Sequence, residues 1–312
     1  MSQLSRYVNT FGQWMKHRHG ERVHKLALNV GFTCPNRDGS KGRGGCTFCN
    51  NVSFNPQGRE LPSIASQIAA GRAVIAKRTR AKKFLAYFQA YTNTYADINV
   101  LKLQYDQALQ EPDVIGLSIG TRPDCVPPAV LDLLASYRDQ GHEIYLELGL
   151  QSSFDSTLER INRGHDFACY VKAMQAAKAR DLPVCTHLII GLPEETAQHS
   201  LTNLDRVLEL GTAGLKLHPL HVVKGTQLAN EWRRGEYTPL TLDEYVDTAV
   251  QMIRHTPSHV CFHRLTATAE ARLLLAPHWC QYKWRVLNRI ADALQHHTTY
   301  SPLPLLFEQE SL

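Results

Sequence analysis

"TCPNRDGSKGRGGCTFCNN" (residues 33–51) puts three cysteines, Cys34, Cys46 and Cys49, into one polar loop crowded with glycine, asparagine and basic side chains. The preceding "HKLALNVG" (24–31) reads as a strand, so the loop opens from a strand's carboxyl end. Cys46 and Cys49 have the spacing at which two thiolates ligate one metal centre. Cys34 adds a third soft ligand after an excursion whose Gly39, Gly42, Gly44 and Gly45 let the backbone wrap closely round a bulky group. Structural zinc usually takes four protein ligands, and no fourth cysteine is near. Spacing leaves two main occupants open: an iron–sulfur cluster with one iron free for a substrate molecule, or a zinc ion completed by a histidine such as His24. Three ordinary buried thiols would be poorly placed in so polar a loop.

The rest of the chain bounds what surrounds this loop. Its 312 residues, 43% hydrophobic and 20% charged, suffice for one large domain with an appendage. No apolar run approaches the roughly 20 residues of a membrane helix. The opening "MSQLSRYVNTFGQWMKHRHGER" lacks the apolar middle of a signal peptide. The expectation is a cytoplasmic protein with no membrane partner, in which eight cysteines are metal ligands or free thiols rather than four disulfides. The net charge is +5, with positive residues concentrated in "MKHRHGERVHK" (15–25) and "GRAVIAKRTRAKK" (71–83). Each patch is either a solvated helix face or a footprint for an RNA backbone.

After residue 24 short apolar strands alternate with amphipathic helices. Helices are predicted at about 63–81, 97–110, 128–139 and 197–210, with two further helical stretches after the fourth strand. The strands are "HKLALNVG", "KFLAYFQAY", "VIGLSIG", "HEIYLELGL", "PVCTHLIIG" and "GLKLHPLHVV", six in all, each near-continuously apolar. Such a rhythm implies parallel pairing through right-handed crossovers. Polar segments follow the strands: the cysteine loop, "QAYTNTY", "GTRPD", "LGLQSS", "GLPEE" and "HPLHVVKGT". In α/β folds that edge binds ligands, so six loops converging there predict one site. Beyond 238 the rhythm stops, leaving helix, strand "HVCFHRL" and helix "WRVLNRIADAL" as an appendage expected to cover an open barrel edge. The tail "SPLPLLFEQESL" reads as loosely held.

From residue 24 onward these features resemble the radical S-adenosylmethionine enzymes, in particular the YhcC/YtqA-type group related to the radical domain of the elongator catalytic subunit. The first cysteine gap is long, Cys-x11-Cys-x-x-Cys, which is similar to the elongator-like branch. The resemblance implies an α/β fold, a partial (β/α)6 TIM-type barrel over 24–237 with a basic extension at 1–23 and a carboxyl-terminal α/β appendage at 238–312. It implies a [4Fe-4S] cluster held by Cys34, Cys46 and Cys49. It also implies S-adenosyl-L-methionine on the open iron, cleaved by one electron to a 5'-deoxyadenosyl radical. An electron donor such as a flavodoxin or ferredoxin would serve it.

Further residues are carried over segment by segment. Glu147 in "YLELGLQS" resembles the acidic residue that contacts the ribose hydroxyls, its alternative being an ion pair with a basic neighbour. "THLIIGLPEET" (186–196) is similar to the fifth-strand motif, in which backbone at Gly191 and Leu192 approaches adenine while Glu194 or Glu195 starts a helix. "LKLHPLHVVKGT" (215–226) resembles the sixth-strand segment, offering His218 or His221 to the cofactor and Lys216 and Lys224 to a substrate. In "GTRPD" Arg122 can grip a carboxylate or phosphate and Asp124 can fix it in place, or the two form a structural pair. "YFQAYTNTY" departs from the family's glycine-rich second-strand end, so Gln89, Tyr91 and Thr92 are assigned the methionyl contact. Cys125 is a candidate reactive thiol, Cys185 a core residue, and the scattered remaining cysteines predict no auxiliary cluster. Elongator relatives modify wobble uridine in transfer RNA, which makes tRNA the expected substrate. The alternatives are radical chemistry on a small metabolite and a zinc-bearing RNA-binding adaptor without catalysis. No acetyltransferase segment follows the barrel, so the whole elongator reaction is not expected.

Overall fold

The computed structural model describes residues 3–50, 61–79 and 81–296. After a short helix α1 (Phe11–His19), strands and helices alternate: β1 (Val23–Leu28), α2 (Ile64–Thr79), β2 (Lys83–Phe88), α3 (Ile98–Leu109), β3 (Val114–Thr121), α4 (Pro128–Asp139) and β4 (Glu143–Gln151). Two helices, α5 (Asp155–Arg160) and α6 (Phe167–Lys178), then lead to β5 (Val184–Ile190), α7 (Ala197–Glu209) and β6 (Gly214–Pro219). The remainder comprises β7 (Val222–Val223), α8 (Gln227–Arg233), α9 (Leu242–His255), β8 (Cys261–Arg264), β9 (Leu274–Ala276) and α10 (Lys283–His296). The predicted helix and strand positions hold to within a few residues. The tail from 301 and Arg80 of the second basic patch lie outside the described residues.

Strands β1 to β6 pair in sequence order, all parallel, and β8 adds parallel to β6. The sheet therefore has seven strands instead of the expected six, because "HVCFHRL" in the appendage joins the barrel sheet. Its neighbours α9 and α10 pack on each other. Val286, Ile290 and Leu294 at i, i+4 and i+8 are fully buried in the main core, each worth about 1.5–3 kcal/mol of apolar burial. The strand expected as "GLKLHPLHVV" is broken after Pro219, and β7 pairs antiparallel with β9 instead.

The strands are not uniformly apolar; they alternate, and the alternation decides where the chemistry sits. Leu26, Ala86, Leu117, Leu146, Leu148, Leu188, Leu215 and Leu217 belong to the core between sheet and helices. The residues between them, Lys25, Tyr87, Ser118, Glu147, His187 and Lys216, form one connected polar group inside the sheet's curve. Below it, toward the strands' amino ends, Phe11 and Met15 of α1 pack with Val23, Leu85, Tyr145 and Cys261 as an apolar floor.

The half-barrel does not close through backbone, since β1 and β8 are not paired. Its two edges still meet through side chains: Lys25 Nζ on β1 lies 3.0 Å from His263 Nδ1 on β8. The Phe11 ring covers both, 4.3 Å from the ammonium and 4.1 Å from the imidazole centroid. No helix among the described residues is long and apolar enough to cross a membrane.

Candidate active site

The cysteine loop sits beyond the carboxyl end of β1 and is tied down by its own polar residues. Arg37 and Asp38 N–H donate to Cys34 O at 2.8 and 3.1 Å, Gly45 N–H to Asn36 O at 2.9 Å and Cys49 N–H to Cys46 O at 2.9 Å. The Asn36 amide reaches across to the turn after α5, donating to Asn162 O at 2.6 Å, and Asn162 Nδ2 returns a bond to Gly45 O at 2.8 Å. A Cβ on Gly42 would lie 2.4 Å from Asn36 Oδ1, and one on Gly164, at φ +73°, 2.8 Å from the same atom. Both positions must stay side-chain-free for Asn36 to bridge the loop.

The thiols occupy graded environments. Cys46 is buried, Cys34 and Cys49 are half-buried. Arg163 Nη1 points at Cys46 Sγ from 3.6 Å and Asn36 Nδ2 from 3.8 Å. Burial, followed by the neighbouring Cys46 sulfur, pushes the Cys49 thiol up to about 11. Beside Cys46 and Cys49 is a cavity of about 230 Å³, also lined by Arg37, Arg43, Thr226 and Gln227. Among the described residues no three His, Cys, Asp or Glu side chains converge closely enough to hold a single ion. His24, the suggested zinc partner, is at the amino end of β1, whereas the loop follows its carboxyl end.

Arg122 and Asp124 form the structural pair. The guanidinium donates from Nε at 2.8 Å and Nη2 at 2.9 Å, and Lys41 of the cysteine loop adds a second cation to Asp124 at 2.7 Å. Burial opposes the charge on Asp124, but these two cations hold it well below the usual carboxylate range. The charges of Cys34 and Cys46 act on Arg122 as well. Its buried Nη1, like Arg163 Nε, has no hydrogen-bond partner among the described residues. Cys125 next door is not activated: burial and the Asp124 charge push its thiol up to about 12. Cys185 is buried as expected.

Glu147 departs from its expected role. It is wholly buried, and four donors occupy its carboxylate: Lys25 at 2.6 Å and Ser118 at 2.7 Å on Oε1, His187 at 3.0 Å and Lys216 on Oε2. A carboxylate has about four acceptor positions, so none is left for a ribose diol. Burial would raise its pKa, yet the Lys216 and Lys25 ammonium groups hold it well below the carboxylate range. Lys216 also donates to Tyr87 Oη at 2.8 Å, so it too is inside the network rather than free for substrate.

Gly191 and Leu192 are covered from the carboxyl-terminal side. Tyr237 Oη donates to Gly191 O at 2.8 Å, and a Cβ at Gly191 would meet Leu240 at 3.0 Å. The backbone expected to face adenine is therefore packed against protein. Glu194 and Glu195 precede α7, whose cap is Thr196 with a reciprocal His199 contact.

His218 lies beside His187, ring centroids 5.7 Å apart. Burial, then the Arg264 charge, pulls its pKa well below the ordinary 6.5, and its Nε2 is unpartnered among the described residues, as is that of His221. Gln89 and Tyr91 follow β2 half-buried, Tyr91 with a left-handed φ of 65°. Lys224 is exposed, and its carbonyl accepts from Asn50 of the cysteine loop at 2.6 Å. The structure thus gathers the cysteines, Arg122 and Asp124 at one rim and sinks Glu147 and Lys216 below it. Lys25, His187, His263, Arg163 and Asn36 were not foreseen; alternation within the strands was the signal for the first three.

With that geometry in place, comparison with known proteins is informative. Residues 28–206 match the model of the Radical SAM superfamily and residues 212–296 that of the Radical_SAM C-terminal domain. Protein YhcC of Escherichia coli K12 is 52% identical over 295 residues, 95% of this chain and 94% of that protein. The uncharacterized protein YtqA of Bacillus subtilis is 35% identical over 96% of this chain and 93% of its own. Among solved structures, the archaeal Methanocaldococcus infernus Elp3 superposes with a TM-score of 0.63 at 19% identity, covering 86% of this chain and 63% of that one.

Proposed function

The chain belongs to the radical SAM superfamily, and from that premise we propose that Cys34, Cys46 and Cys49 hold a [4Fe-4S] cluster on which S-adenosyl-L-methionine is reductively cleaved to modify a transfer RNA. The observation that carries the first part is the donor set: three thiols of one loop with Arg163, Asn36 and the spare Nη1 of Arg122 around them. Donors of that kind suit thiolate sulfur, which needs a cation or cluster to be stable in so buried a place. What the group supplies when bound is one electron to the sulfonium of S-adenosylmethionine.

The chain's own residues do the rest. Lys41, Arg122 and Asp124 lock the loop to the end of β3. Gln89, Tyr91, Arg122 and His218 remain the contacts proposed for S-adenosylmethionine. Gln151 ends β4 beyond a bulge at Gly149, with a left-handed φ of 80°, and its amide lies with the Arg163 guanidinium over Gly149; it is assigned the rim position from β4 that Glu147 does not reach. Gly191 and Leu192 act through Tyr237 and Leu240, which shape that side of the rim. A flavodoxin or ferredoxin is the proposed electron donor.

Transfer RNA as substrate rests on the resemblance of the cysteine spacing, "GTRPD" and "LKLHPLHVVKGT" to the elongator branch. One observation favours a second reading: Lys25, Lys216 and Arg264 concentrate positive charge in the interior around one carboxylate, with the imidazoles of His187 and His218 beside them. A small anionic metabolite would fit there without any RNA surface.

Anaerobically prepared protein should be brown and carry about four irons and four sulfides per chain, with Cys46→Ala losing both. Zinc in place of iron would overturn the cluster and restore the adaptor. Arg163→Met should shift the cluster's midpoint potential to more negative values, because a donor to a ligating sulfur is lost. An unchanged potential in electrochemical titration would remove Arg163 from the site.

A further inference from the structure

The two basic patches in the sequence are poor candidates for contact with a substrate RNA. Arg18 pairs with Glu143, Lys25 with Glu147, Arg72 with Glu111 and Asp113, and Lys83 with Glu21. Lys25 is inside the barrel, and Lys83 begins β2 at the strands' amino ends, away from the cysteine loop. Four of their cations are thus paired within the protein, and Lys16, Lys77 and Arg78, which are not, lie in the last turns of α1 and α2, just before the amino ends of β1 and β2.

A different surface carries unspent charge together with aromatic rings. From Gln281 to Arg285 the chain reads "QYKWR", and all five residues are exposed. Trp284 is 70% and Tyr282 58% accessible, the two aromatic members of the exposed large hydrophobics among the described residues. The protein's treatment of neighbouring rings shows that this is not a packing requirement. Trp279, three residues before Tyr282, lies tilted against Tyr245 with ring centroids 5.1 Å apart and donates its indole N–H to Leu240 O at 3.0 Å. Val286, Ile290 and Leu294 anchor α10, so Trp284 and Tyr282 stand on a rigid support while burying little themselves.

The flanking cations are also unmatched. No carboxylate among the described residues pairs with Lys283 or Arg285, whereas Arg289 one turn on is paired with Asp243. Lys283 Nζ sits 5.7 Å from the Trp284 ring centroid. The segment adjoins the barrel mouth: it follows β9, which pairs with β7 just beyond the carboxyl end of β6, and Trp279 beside it donates to Leu240, the residue that lies against Gly191 at the end of β5. Arg264, at the carboxyl end of β8, acts on Lys283 and on His187, His218 and His221.

We infer that Tyr282 and Trp284, with Lys283 and Arg285, form a stacking platform for unpaired nucleotides of the RNA substrate at the mouth of the barrel. This rests on the transfer RNA reading and adds to it the part of the molecule engaged: a loop or single strand, not a duplex. Aromatic faces receive bases regardless of sequence, and adjacent cations take the phosphates.

The test measures dissociation constants of the full chain for fluorescein-labelled decauridylate, a ten-base-pair RNA duplex and bulk tRNA at several salt concentrations. Trp284→Ala should weaken decauridylate about 5- to 150-fold with its salt slope unchanged, and Trp284→Phe should restore most of the loss. Arg285→Ala should instead reduce the slope by about 0.7. Duplex binding should be insensitive to Trp284, and melting temperatures should not move because the side chain is exposed. Decauridylate binding within twofold of wild type in Trp284→Ala, while tRNA binding persists, would overturn the platform and leave the tRNA reading intact. No binding of wild type to either single-stranded probe or tRNA would overturn both, and the patch would then be a contact for a protein.

Discussion

Replacing Glu147 by Gln should lower stability by about 3–5 kcal/mol, a fall in melting temperature of roughly 6–20 °C for a domain of this size. The reason is the arithmetic of charge inside the half-barrel. One carboxylate faces two ammonium groups, Lys25 and Lys216, and accepts from Ser118 and His187 besides. Removing it leaves two buried cations 69 residues or more from it in sequence but adjacent in space, with nothing to compensate them. The double variant Glu147→Gln/Lys216→Met should recover part of the loss, because the pair is removed together. A role in holding ribose would give the opposite pattern, weaker binding of S-adenosylmethionine with an unchanged melting temperature. Loss of less than about 1 kcal/mol would mean the network is not formed.

The same interior should make the protein acid-labile well above the carboxylate range. Burial lowers His187 and His221 to about 4 and His263 to about 3, and holds His218 well below the ordinary 6.5. Nearby cations add to the effect: Lys216 at His187, Arg264 at His221 and His218, Lys25 at His263. Between 6.5 and about 4 the unfolded chain takes up protons that the folded chain refuses. The unfolded state then binds more protons, so stability rises with pH across this window and is lost as pH falls through it. Each fully buried imidazole contributes about 1.4 kcal/mol per pH unit. His187 keeps 17% of its side chain exposed and contributes less. With three such imidazoles and the reduced share of His187, the expected slope is roughly 4–5 kcal/mol per pH unit, readable as a steep fall in urea midpoint from pH 6 to 4.5. Glu147 and Asp124 have depressed pKa values, so their contribution is present above the ordinary carboxylate range and lost only at lower pH. A midpoint flat down to pH 4.5 would show that the histidines are solvated.

Much of this fold could be read before any coordinates, for identifiable reasons. Turn residues and amphipathic helices bracket each strand, and Pro128 through Asp139 form the helix expected at 128–139. The segment "HVCFHRL" was legible as a strand but not as the seventh of the sheet, because it follows two helices and a long connection, outside the βα rhythm, although it pairs with β6 like any crossover strand. The cysteine loop was legible because soft ligands and glycines cluster in sequence. Glu147 was misread because its partners are long-range: Lys25 and Lys216 come from other strands, and only the barrel's curvature brings them to one carboxylate. Tyr237 and Leu240 were missed for a similar reason, since they reach Gly191 from a segment read as outside the site. Residues that act through local spacing were visible, and those that act through closure of the sheet were not.

The central claim, radical cleavage of S-adenosylmethionine in the service of RNA modification, is tested most directly by 5'-deoxyadenosine production. Anaerobically reconstituted protein would be given a strong reductant and S-adenosylmethionine, with and without bulk tRNA, beside Cys46→Ala. The account predicts cluster-dependent product that increases when tRNA is added and disappears in the variant. No product from protein with a full complement of iron and sulfide would contradict it.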